Sequence, residues 1–194
     1  DLDVCRQRLF GLGDKIKHIK GYLSSHKFDR LVCVLLGDAN DGTDIYATQT
    51  HHQAETNVEK QAKDLTGMLA EWTEDQLSVW NQIDFECIPG NHGRAGRSIH
   101  ESASWDIVAY RYLDLRTANN SRVSVNMSET GDPFLRKVNI RNHNYILYHG
   151  HDIQMYNGVP FYGMMTRVNR WATTKLYPFD VVIIILSVSL TDTV

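Results

Sequence analysis

Nothing in this chain is built to cross a bilayer: the apolar run Val181 to Ile185 falls far short of the roughly 20 residues a spanning helix needs. No Gly-rich phosphate loop of the Rossmann or P-loop type follows any apolar run, which argues against a nucleotide-binding domain of those designs. Cysteine is scarce. Cys5, Cys33 and Cys87 are odd in number and lack metal-ligand spacing, so they fit a reducing, cytoplasmic setting, with Cys33 and Cys87 as small buried hydrophobes. Positive charge is not in excess either. With 20 Lys and Arg against 23 Asp and Glu, the net charge of −3 leaves any polyanion binding to a local patch. Arg111, Arg116, Arg122, Arg136, Lys137 and Arg141 read equally as such a patch or as scattered surface charge. No repeat, low-complexity tract or interdomain linker is visible. No signal peptide is visible at residue 1, so the triplets Asn119-Asn120-Ser121 and Asn126-Met127-Ser128 are read as chance rather than glycosylation sites.

What is present is the composition of one ordinary globular domain over residues 1–194, 42% hydrophobic and 22% charged. Leu9, Leu12, Ile16, Ile19 and Leu23 step by three or four and predict a helix. Leu31 to Leu36 is a continuous apolar run that reads as a central parallel strand. A helix is expected from about Thr50 to Glu71, then a second short one opening on the capping-box spacing of Thr73 and Gln76. Phe85 to Ile88 reads as a strand, Ser104 to Leu115 as a helix, and Val123, Val125, Val138 and Ile140 as parts of half-exposed strands. Tyr145 to Tyr148 is a strand, Phe161 to Thr173 a helix and Val181 to Ile185 a buried strand. Alternating strands and helices predict a layered α/β domain, with a second sheet packed on the first in the strand-rich last third.

Three polar clusters stand where apolar runs end: Gly37-Asp38-Ala39-Asn40-Asp41-Gly42, Gly90-Asn91-His92-Gly93-Arg94 and His149-Gly150-His151-Asp152. Taken singly, each is turn chemistry. Taken together they obey one rule, strand followed by ligand, and the carboxyl ends of strands are where α/β sheets gather their ligands. Asp38 supplies a carboxylate able to bridge two cations, Asn91 an amide oxygen and His149 an imidazole nitrogen. Such mixed ligation suits Mn, Fe, Zn or Ni rather than calcium. His92 would stand beside the metals, where an imidazole can protonate a leaving alkoxide or steady a phosphoryl oxygen. Arg94 and Arg97 offer bidentate contacts to phosphate oxygens. Asp41 and Asp44 read as turn formers or outer carboxylates. His51, His52, His100 and His143 read as surface residues.

These residues resemble the calcineurin-like metallophosphoesterase family, whose second, third and fourth blocks match Gly37-Asp38-Ala39-Asn40-Asp41, Gly90-Asn91-His92 and His149-Gly150 in order and separation. Gly-Asn-His-Gly-Arg, followed by Trp105-Asp106, is similar to the phage and bacterial branch related to DNA-repair exonucleases. The resemblance implies an α/β fold, a layered α-β-β-α sandwich of two mixed sheets, here incomplete at both ends. It implies Asp38 bridging two divalent metals, commonly Mn, with Asn91 and His149 on the second. It also implies His92 as the catalytic residue near the leaving group, Arg94 and His151 lining the substrate site, and Asp41 outside the ligand set. The reaction implied is hydrolysis of phosphomonoesters or phosphodiesters by a metal-bound hydroxide, with DNA or a nucleotide as substrate and no membrane partner. The family's opening Asp-x-His and closing Gly-His-x-His have no counterpart in Asp1-Leu2-Asp3 or in Ile185 to Val194. A start lying upstream and a shifted frame or truncation at the tail would explain both. At most one well-bound ion and poor hydrolysis are then expected of this chain. The competing expectation is a catalytically impaired remnant or interaction module that keeps the fold.

Overall fold

A computed structural model describes residues 2–43, 45–46, 49, 57–100, 102–127, 132–157, 159–173 and 178–184. Residues 50–56, with His51 and His52, lie outside them, as do Asp44, Asp1 and the tail 185–194. The described elements are α1 (Leu2–Tyr22), β1 (Arg30–Leu35), α2 (Val58–Gln76), β2 (Gln82–Cys87), α3 (Trp105–Thr117), β3 (Val123–Met127), β4 (Leu135–Ile140), β5 (His143–Tyr148), α4 (Phe161–Thr173) and β6 (Val181–Ile184). They form a mixed α/β structure with two three-stranded sheets, ordered β1-β2-β3 and β4-β5-β6. The first is parallel throughout, contrary to the expectation of two mixed sheets. Only the second is mixed, with β4 antiparallel and β6 parallel to β5.

The period-2 alternation of side chains decides what each sheet face meets. Leu31, Cys33 and Leu35 of β1, Ile83, Phe85 and Cys87 of β2, and Val123, Val125 and Met127 of β3 join Leu69, Trp72, Tyr110 and Leu113 from α2 and α3. On the opposite face, Val34, Leu36 and Ile88 pack against Val138, Ile140, Tyr145, Leu147 and Ile183 of the second sheet. The far face of that sheet presents Ile146, Tyr148 and Val182 to Val168 and Trp171 of α4. The face between the sheets also carries polar and ionic contacts. There Arg136 Nε donates to Glu86 Oε2 at 2.8 Å, Asn126 donates to Glu86 Oε1 at 3.1 Å, and Arg30 pairs with Asp84. Arg136 is thereby turned inward, whereas Arg122 stays exposed while donating to the carbonyls of Leu77 and Asn81.

Four sequence expectations are corrected. β1 is an edge strand among the described residues, pairing only with β2. Its unbroken apolar run comes from the layers above and below it, not from strands on both sides. No second helix starts at Thr73: α2 runs through to Gln76, capped at its start by Asn57, whose side chain accepts from the Lys60 N–H. The Thr73 hydroxyl donates to the Leu69 carbonyl at 2.6 Å inside the helix instead of capping one. β6 is half-buried at an edge rather than fully buried, and the exposed His143 opens β5 instead of lying in a loop.

Among the described residues no helix is long and apolar enough to cross a membrane. All three thiols are free. Burial, with Asp84 adding to it, pushes Cys33 up to about 12, and burial with Glu86 pushes the buried Cys87 higher still. Cys5 is exposed on α1. Since the thiolate is the reactive form, a disulfide reagent at pH 8 is expected to label one thiol promptly in the native chain and all three in denaturant. Prompt labelling of three native thiols would contradict this packing.

Candidate metal centre

The three polar clusters meet at the carboxyl ends of β1, β2 and β5. The first two are pressed together by glycine. Gly37 has φ +87°, and a Cβ there would overlap the backbone of Pro89 and Gly90; a Cβ on Gly90 would overlap Asp38. Backbone-to-backbone approach of this kind is available only without side chains. Asp38 itself takes φ +53°, a left-handed conformation that Asp tolerates better than most residues. Its Oδ1 accepts from the His92 N–H at 3.0 Å, locking the first cluster to the second.

His149 arrives from the other sheet, 1% exposed. Its Nδ1 lies 2.6 Å from the Leu36 carbonyl oxygen, an acceptor, so Nδ1 carries the proton and donates. Nε2 then faces two oxygens, Asn91 Oδ1 at 2.7 Å and Asp38 Oδ2 at 3.3 Å. The Asn91 amide is oriented by its Nδ2, which donates to the Tyr46 hydroxyl. Three atoms that all present lone pairs at these separations need a positive charge among them, either a proton on Nε2 or a cation. Ligands about 2.1 Å from a hexacoordinate ion are about 3 Å apart along an edge of the octahedron, and the observed spacings bracket that value. A ligating imidazole that donates its other N–H to a backbone carbonyl is the usual arrangement at metal sites. The donor set therefore fits one divalent cation. Among the described residues no group of three His, Cys, Asp or Glu side chains gathers for a metal, the Asn91 amide making this a set of two such residues and one neutral oxygen.

The electrostatics agree with the geometry. Burial pushes the Asp38 carboxyl up, but the bonds from His149 and the His92 N–H, with the charge of both imidazoles, outweigh it and hold the carboxyl below its ordinary range. Burial pushes His149 down, and the bond and charge of Asp38, with the Leu36 carbonyl and Asp106, outweigh that and hold the imidazole above its ordinary value.

His92 sits at the rim, its Nδ1 3.5 Å from Asp41 Oδ1 and its ring 4.7 Å from that of Tyr46. Asp41 thus stands behind His92 rather than among the three converging atoms. Arg94 Nε donates to the Asn91 carbonyl at 3.1 Å, which braces its own loop and orients the guanidinium. His151 is exposed and lies beside the site, its ring 5.7 Å from that of His149 and 4.3 Å from Phe134. Arg97 and His100 are exposed.

Three residues to which the sequence reading gave no part in the site hold this arrangement. Asp106, 0% exposed at the start of α3, accepts from the N–H of Gly90 and of Asn40, both at 2.8 Å, and from the Asn40 amide at 3.1 Å. Buried Gln49 accepts from the N–H groups of Ile45 and Tyr46 and donates to the carbonyls of Asp41 and His92. Tyr46 positions Asn91. The signal available for Asp106 was its place just after Ser104, whose side chain caps α3 by accepting from the Asp106 N–H. No protein-family model matches this chain, and neither the curated proteins nor the solved structures yield a match.

Proposed function

We propose that this chain is a metal-dependent phosphoesterase acting on phosphodiesters of nucleic acid or nucleotides, within an α-β-β-α sandwich of the metallophosphoesterase kind. One observation carries the reading: Asp38 Oδ2, Asn91 Oδ1 and His149 Nε2 converge with lone pairs inward at 2.7 and 3.3 Å. These three residues would hold a divalent cation, Mn being the first to try. Bound there, it would supply Lewis-acid polarisation of a phosphoryl oxygen. The rest of the chemistry falls to the chain's own groups. The His92 ring, oriented by Asp41, stands at the rim where a leaving alkoxide needs a proton. Tyr46 fixes which face of the Asn91 amide meets the cation, and Asp106 fixes the two loops that carry Asp38 and Asn91.

A second reading has its own support. With Nε2 protonated, the same three side chains satisfy one another as an ion pair and hydrogen bond, which would hold the sheets together in a non-catalytic module. Titration of chelator-treated protein with Mn, followed by assay on an aryl phosphodiester, separates the two. About one bound ion and weak Mn-dependent cleavage are expected. No binding near neutral pH would favour the module.

The pH dependence distinguishes the readings further. The Asp38 carboxyl is held low, so the stability it contributes is present above its unfolded value and lost as pH falls through the folded one. His149 is held high, so its contribution is present below its unfolded value and lost as pH rises through the folded one. The metal-free protein should therefore lose stability on the alkaline side of the raised His149 value. Mn affinity should rise as pH climbs through the raised His149 value, because the cation displaces that proton. Mn affinity flat across this range would reject His149 as a ligand.

A further inference from the structure

A cleft of about 560 Å³ opens one residue beyond His151, between the segment that starts at Asp152 and one face of α4. Tyr162, Thr166 and Arg170 step by four along that face, with Arg167 beside them. Gly163 permits the close seating, since a Cβ there would overlap the Gln154 carbonyl. The opposite wall is closed by mutual backbone hydrogen bonds between Tyr156 and Val159, at 3.0 and 2.9 Å.

The lining is unusual for a solvated surface. Tyr156 and Tyr162 are each 70% exposed, an uncommon state for so much aromatic area. The Tyr162 ring is held rather than loose, edge-on to Phe161 with centroids 5.6 Å apart. Arg167 is held too: it pairs with Asp152 and lies over the Tyr148 ring, 5.5 Å from its centroid. A guanidinium has five N–H donors in a fixed fork, so its bond to Asp152 orients it without exhausting it. Arg167 and Arg170 both line the cleft, together with Asp152. Wet aromatic faces beside fixed guanidinium groups are what a base and its phosphate require: the ring stacks the base and the fork meets the phosphate oxygens.

We propose that this cleft binds a nucleotide unit, its base on Tyr162 or Tyr156 and its phosphate on Arg167 and Arg170. The inference rests on the phosphoester reading of the neighbouring centre and names its substrate as single-stranded nucleic acid entering past His151. The test is fluorescence anisotropy of a short fluorescein-labelled oligothymidylate with the intact chain, at low salt and in excess EDTA, with unlabelled dTMP as competitor. Binding by the wild type is expected, with a loss of about tenfold in Tyr162→Ala and in Arg170→Gln. Competition by dTMP would show that one unit suffices; an oligonucleotide bound without such competition would show that adjoining units of the strand contribute. Either outcome supports the cleft. No anisotropy change in the wild type, or variants that bind as tightly as it does, would overturn it. Both substitutions fall on exposed positions of α4, so native circular dichroism should persist. Because EDTA removes divalent ions, a failed binding assay leaves Mn-dependent hydrolysis to stand or fall by itself.

Discussion

Asp38→Asn is expected to lower Mn affinity by at least about 100-fold and to take any Mn-dependent cleavage of an aryl phosphodiester to background. The substitution isolates charge from shape. Asn is nearly isosteric, and it tolerates the left-handed backbone that Asp38 adopts at φ +53°. Its side-chain oxygen can still accept from the His92 N–H. What disappears is a full negative charge beside the cation, and unit charges 4 Å apart attract by about 4 kcal/mol at an effective dielectric of 20. Even a fraction of that is about 100-fold in binding. Isothermal titration with Mn gives the affinity, and a urea melt verifies that the variant is folded. If Asp38→Asn bound Mn as tightly as the wild type, the carboxylate would not be a ligand and the proposed centre would be wrong.

Asp106→Ala should be the most destabilising single change near the site, by at least about 3 kcal/mol. The side chain is fully buried and receives three N–H groups, from Gly90 and from the backbone and amide of Asn40. Each buried donor left unpaired costs about 1–3 kcal/mol, and the space left cannot admit enough water to replace all three. Asp106→Asn should lose roughly half as much, since its NH₂ must face a donor on one side while its oxygen still serves the other. Urea midpoints at matched pH measure both. A midpoint for Asp106→Ala within error of the wild type would mean that these bonds do not hold the loops. Where the alanine variant stays folded, weakened Mn binding is expected as well, because the two loops Asp106 ties carry Asp38 and Asn91.

How much of this was legible beforehand depended on whether a residue's role is local. Asp38, Asn91 and His149 could be picked out because each follows an apolar run, and the strand-end rule then puts them at one rim. Their convergence to within 3.3 Å is a tertiary fact that spacing suggests without measuring. The role of Asp106, quoted only in the Trp105-Asp106 resemblance, was hidden for the opposite reason. An acidic residue in the first turn of a helix reads as a favourable helix-end charge, and only the fold reveals that it points inward at two loops. A cation after Asn-His likewise suggests phosphate, and only the fold reveals that the Arg94 Nε also braces the Asn91 carbonyl. β1 looked central because periodicity reports burial of faces and is silent about which strands flank an edge. The cleft over α4 could not be foreseen either, because its two walls are brought together by tertiary contacts, the seating of Gly163 on Gln154 and the pairing of Arg167 with Asp152.

The hydrogen bond from His149 to the Leu36 carbonyl joins two halves of the molecule that fold from separate stretches of sequence. Neither half holds all three proposed ligands by itself, so the proposed centre exists only once the halves are assembled. A divalent ion would then act as a rivet between the halves, favouring the assembled form in proportion to its concentration. Scavenging that ion would leave the seam resting on a proton, and raising the pH would remove that as well.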